Sequence, residues 1–158
     1  MSPCCLSPRT VPTNPDVIKA LESVKTAAEA VKLTAGRIQL ASAAAWSPNP
    51  NNPPLYVDLP IGEAQQSVLA KWASNAPLTF LDQYITSMRQ YRGIAIDVGD
   101  QDGLRVDTAK LHDALDKYGI KNSFEQYQGT HTSKMAVRFQ NYVMKFFSEN
   151  LCFEKVCR

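Results

Sequence analysis

Apolar residues recur along this chain at two different spacings. Asn14-Pro15-Asp16 has the form of a helix start, with proline early in the first turn and an acid beside it. Val17, Leu21, Val24, Ala28 and Val31 then recur at helical spacing, which predicts a helix from Val17 to about Leu33. The alanine-rich stretch to Ala45 extends this helix or begins a second one, with Gly36 as the break. Helical spacing returns over Gly62–Ala73 and Leu78–Tyr91. The pattern changes at Gly93–Val98, a short apolar run of the kind a buried strand shows, which ends in the polar turn Gly99–Gly103. Leu104, Leu111, Leu115 and Tyr118 define a helix stopped by Gly119. Ser123–Tyr127 is a second strand, closed by Gln128-Gly129. A last helix spans about Thr132–Asn150, with Met135, Phe139, Val143 and Phe146/Phe147 expected to face inward. At the other end, Met1–Leu6 reads as the end of a buried strand.

Strands separated by helices pair in parallel, so the expected fold class is α/β: a mostly parallel sheet with helices on both faces. Between Pro48 and Pro60 lie five of the ten prolines together with Asn49, Asn51 and Asn52, a composition that excludes both helix and strand. This loop carries Leu55, Tyr56 and Leu59 and follows Trp46. It is either pinned to the body by those side chains or forms a lid or pocket wall, where Trp46 and Tyr56 would bind substrate.

The 158 residues suit one ordinary domain or part of a larger one. Hydrophobic residues make up 44% and charged residues 20%, which permits a buried core and argues against disorder. Lys+Arg 17 against Asp+Glu 15, without a basic cluster, argues against nucleic acid as a partner. The longest apolar run, Ala41–Trp46, is far short of the roughly 20 residues of a membrane span. The first residues lack a basic region followed by an apolar stretch, so the expectation is a cytoplasmic chain with no signal peptide. Cys4, Cys5, Cys152 and Cys157 lack Cys-x2-Cys spacing, and His112 and His131 lie far from them in sequence, so no metal site is expected. In that compartment the thiols are expected to be reduced, although a terminal bridge such as Cys5 to Cys152 remains open.

In parallel α/β sheets, chemistry gathers at the carboxyl ends of the strands. That rule selects Asp100 and Asp102 after one strand and His131 after the next. A carboxylate bonded to an imidazole fixes its tautomer and stabilises the imidazolium, the arrangement of a Ser-His-Asp relay, and the chain order Asp then His matches that of α/β-hydrolases. Asp97 and Asp100 are rival acids, and Asp102 is alternatively a simple helix cap. His112, on a charged helix face, reads as solvated surface.

The stretch Gly93–Leu151 resembles the C-terminal part of α/β-hydrolase-fold esterases, the group that includes esterase D-like and feruloyl-esterase-like enzymes. The resemblance is carried by Ile94-Ala95-Ile96-Asp97-Val98-Gly99-Asp100-Gln101-Asp102-Gly103-Leu104, by Tyr127-Gln128-Gly129-Thr130-His131-Thr132, and by the closing Met144–Leu151. It implies Asp102, in Gly99-x-x-Asp102, as the triad acid and His131, in Gly129-x-His131, as the base. It further implies a single truncated α/β-hydrolase-like domain over residues 1–158, with 35–91 as a cap-like insertion. The family's Gly-x-Ser-x-Gly nucleophile elbow and its oxyanion loop have no counterpart in this sequence. Cys4, Cys5 and Ser2, near the end of the N-terminal strand, are the substitutes available.

The expected function is therefore carboxylic-ester hydrolysis, by this chain or as a C-terminal half that supplies the acid and base. It would act on a small ester substrate without cofactor or metal. The alternative is a non-catalytic module that keeps the scaffold. A sheet exposing a strand edge favours self-pairing, so the expected partner is a second copy joined through Met1–Leu6, or a complementing N-terminal half.

Overall fold

A computed structural model describes residues 12–152 of the chain. The expected strand Met1–Leu6, and the self-pairing through it, lie outside the described residues. The chain divides into two compact units, Met1–Phe80 and Leu81–Arg158, so the boundary falls inside the segment 35–91. Among the described residues no helix is long and apolar enough to cross a membrane.

The first unit is helical. Asn14 accepts the Asp16 N–H at 2.8 Å and opens α1, Pro15–Ser23, with Pro15 in its first turn. The single helix expected over residues 17–33 is two. Thr26 adopts extended backbone and forms a capping box with Glu29, which starts α2 over Ala27–Lys32. That reciprocal cap satisfies two end amides, which outweighs continuing an apolar stripe in a stretch with no buried residue. Gly36, at φ +83°, is the predicted break and precedes α3, Arg37–Trp46. A turn of 3-10 helix at Gly62–Ala64 leads into α4, Gln65–Ser74, and α5 covers Pro77–Phe80.

The proline-rich loop is pinned. Val57 joins Ala43, Val68 and Trp72 in a buried cluster on which Leu55 and Leu59 also pack. The indole Nε1 of Trp72 donates to Ser47 Oγ at 2.9 Å, and Ser47 Oγ donates to the Asp58 carbonyl at 2.7 Å. Asn49 and Lys71 bind the Asp58 carboxylate at 2.7 and 3.0 Å and hold its pKa below the ordinary value, the Asn49 bond contributing most. The same loop also walls a cavity of about 390 Å³ with Leu21, Val24 and Ile61.

The second unit is α/β. A 3-10 turn, Leu81–Tyr84, and α6, Ile85–Met88, precede β1, Ala95–Gly99; α7, Arg105–Lys117, connects it to β2, Ser123–Tyr127. The two strands pair in parallel, from Ala95 opposite Ser123 to Gly99 opposite Tyr127. Ile94 and Ile96 pack with Leu81, Ile85 and Met88 and with Leu111, Leu115 and Ile120 on one side of the sheet. Among the described residues the sheet has these two strands and helices cover both of its faces, because Asp97 and Glu125, in register on the other face, meet the C-terminal helix.

That helix is continuous from α8, Met135–Arg138, through a π-helical segment, Phe139–Val143, into α9, Met144–Asn150. Its inward face differs from the expected one. Met135 and Phe139 are 63% and 58% exposed, Phe147 is exposed too, and the buried residue is Arg138. The Arg138 guanidinium lies 2.7 Å from Asp97 and makes two bonds to Glu125, at 3.0 and 2.7 Å. It sits over the rings of Tyr127 and Tyr142, 4.4 and 4.0 Å from their centroids. An arginine paired with two carboxylates therefore takes the place on the sheet that periodicity assigned to apolar side chains. The extra residue of the π segment then leaves Val143 and Phe146 half-buried beyond it. At the end of the described chain Cys152 is disulfide-bonded, which corrects the expectation of reduced thiols at that position.

The hydrogen bonds from Arg138 hold the Glu125 carboxyl below its ordinary pKa of 4.5. A depressed carboxyl pKa contributes stability that is complete above the unfolded-state value and is lost as pH falls through the folded-state value. Wild type should therefore exceed Glu125→Gln in urea midpoint above about pH 4.5, and the gap should close on further acidification. A gap that stays constant or widens in acid contradicts this pairing.

Candidate active site

Val98 and Gly99, the last residues of β1, are buried, and the turn that follows is stitched to the end of β2. Asp100 N–H donates to the Tyr127 carbonyl at 2.8 Å, the bond that closes the ladder at the Gly99–Tyr127 pair. Gln101 N–H donates to the Gly129 carbonyl at 2.9 Å, and Asp102 N–H turns back to the Gly99 carbonyl at 3.0 Å. The two loops come so close that a Cβ on Gly99 would collide with the Gly129 carbonyl oxygen, while one on Gly129 would meet Ser133 Oγ of its own loop. Glycine is required at Gly99 by this approach rather than by backbone angle.

Asp102 is 7% exposed. Its Oδ1 accepts the Leu104 N–H at 2.9 Å, the turn that leads into α7. Its Oδ2 lies 2.9 Å from Nδ1 of His131. An ionised carboxylate only accepts, so the imidazole donates from Nδ1 and leaves the lone pair on Nε2. The His131 side chain is 68% exposed. Its loop is fastened by a bond from the Thr130 N–H to Ser133 Oγ at 2.6 Å. The arrangement is a buried acceptor, an oriented imidazole and a solvent-facing basic nitrogen. Chemically it can take a proton from a hydroxyl or thiol and return it to a leaving group.

The rival acids have other partners. Asp97 lies on the sheet face with Arg138, and Asp100 accepts the Gly129 N–H at 2.9 Å. His112 is not solvated surface: it is half-buried, stacked on Phe124 at 4.8 Å, with Nδ1 2.8 Å from Asn122 and Nε2 3.5 Å from Asp116. Trp46 and Tyr56 belong to the first unit. Trp46 packs edge-on against Trp72 at 6.0 Å, Tyr56 is exposed, and neither lines that unit's cavity. Ser2, Cys4 and Cys5 lie outside the described residues. Among the described residues no cluster of His, Cys, Asp and Glu is arranged to hold a metal ion. The Arg138 site was missed in the sequence. Its signal was the pair of acids at equivalent positions of two strands, Asp97 and Glu125, which require a cation on that face.

No model of a known protein family matches the chain, and no curated protein matches it.

Gly99→Ala forces the loops apart at the point where they are closest. It should destabilise the protein by about 2 kcal/mol, the usual range for overpacking, read as a lower urea midpoint at unchanged slope. A midpoint equal to wild type contradicts the loop approach described here.

Proposed function

We propose that this chain carries the acid and base of a carboxylic-ester hydrolase of the α/β-hydrolase fold, with Asp102 as the acid and His131 as the base. The observation that supports this reading is the 2.9 Å bond between a buried carboxylate and a solvent-facing imidazole, each following one of two adjacent parallel strands. His131 Nε2 takes the proton of the attacking hydroxyl or thiol as the ester carbonyl becomes tetrahedral. It then gives that proton to the departing alcohol, and water repeats the sequence to release the acid. Asp102 holds the ring and stabilises its charged form. The nucleophile comes from outside residues 12–152: Ser2, Cys4 or Cys5 of this sequence, or a Gly-x-Ser-x-Gly segment on another polypeptide. The substrate is a small ester, and the reaction is cofactor-independent.

Activated esters test the base directly, since an oriented imidazole also attacks them itself. Release of p-nitrophenol from p-nitrophenyl acetate should fall by about tenfold or more in His131→Ala and stay at the wild-type rate in His112→Ala. A wild-type rate no higher than that of His131→Ala overturns the proposal, as does equal loss in the two histidine variants.

A further inference from the structure

The His131 ring projects into solvent, and among the described residues its one hydrogen bond is to Asp102. Beyond that bond, whatever positions the ring acts through its backbone. Two residues before His131 is Gly129, which is buried, so its amide and carbonyl need partners. Both come from the opposite loop: Gln101 N–H meets the carbonyl, and Asp100 Oδ1 accepts the amide, each at 2.9 Å. The Gln101 bond is backbone to backbone and survives most substitutions. The Asp100 bond depends on one side chain. Asp100 is itself exposed, where a carboxylate is well hydrated without a protein partner, yet it turns back onto the other strand's loop.

We propose that Asp100 is a positioning residue for the acid–base pair, an inference that rests on the ester-hydrolase reading. Asp100 stands two residues before Asp102, and Gly129 two residues before His131. Their charge-assisted bond therefore fastens the two loops just upstream of both members, and fixes where the imidazole sits relative to the Asp102 carboxylate. Asp100 touches neither the imidazole nor, in this account, the substrate. Without it the buried Gly129 amide lacks its acceptor, the 129–131 backbone moves towards water, and His131 loses its preferred orientation.

The readout is the tautomer of neutral His131, followed by nitrogen-15 NMR of the imidazole, with His112 as an internal reference. In wild type the Nδ1–H form should dominate. Asp100→Asn retains an oxygen acceptor and should keep that preference. Asp100→Ala should lower the ratio of Nδ1–H to Nε2–H forms at His131 by about threefold or more, the size expected for one lost hydrogen bond, with His112 unchanged. Asp100→Ser, whose hydroxyl is too short to reach Gly129, carries the same expectation where the alanine variant does not fold. The Gly129 amide of the unsubstituted protein should also be protected from exchange by at least about tenfold relative to an open chain; fast exchange there overturns the inference whatever the variants show. A wild-type His131 without Nδ1–H dominance overturns the ester-hydrolase reading itself. Dominance in wild type that persists in Asp100→Ala and Asp100→Ser overturns only the role of Asp100.

Discussion

The parallel register of β1 and β2 is the constraint on which the second unit depends. Gly99 opposite Tyr127 ends the ladder, and the next residues on each strand form the two loops that meet at Gly129. The pleat repeats every two residues, so a slip of one would turn Ile96 away from the cluster around Leu115. It would also take Asp97 out of line with Glu125, and Arg138 would lose the paired acids it binds. Apolar packing on one face and a three-charge contact on the other therefore specify one register. That register brings Asp102 to His131.

The two faces do different work. On the α7 side, burial of Leu115 and Ile120 with half-buried neighbours provides the nondirectional hydrophobic term. On the other side Arg138 is directional: each of its three nitrogens donates to a carboxylate and its guanidinium lies over two tyrosine rings. The hydrogen bonds that Arg138 donates to Glu125, and then to Asp97, raise the guanidinium pKa above its ordinary value despite the opposing effect of burial, so the group is a cation. The C-terminal helix is thereby held to the sheet while much of its apolar surface stays exposed.

Much of this was legible in the residues. Both strands, the helix between them and the turn glycines follow from runs and periods that local chemistry also favours. The pairing of Asp102 with His131 was readable because strand ends place loops, and loops after adjacent strands meet. Other features depend on information that period does not carry. Thr26 splits a helix because capping competes with propagation, which an apolar stripe does not report. The face of the last helix was misassigned because a π segment breaks the 3.6-residue period at Phe139–Val143, and because an arginine can be interior when two acids meet it. Asp100 looked like a competing acid because composition cannot tell which of two turn carboxylates faces an imidazole and which a backbone amide.

Whether Asp102 and His131 act as one unit in ester hydrolysis is decided by a double-mutant cycle. p-Nitrophenyl acetate hydrolysis would be compared for wild type, Asp102→Ala, His131→Ala and the double variant, each checked for folding. Groups that act together lose their effect together. Asp102→Ala should lower the rate in the presence of His131 and have no effect once His131 is gone. Equal losses from Asp102→Ala with and without His131 would contradict it, and the 2.9 Å contact would then be structural only.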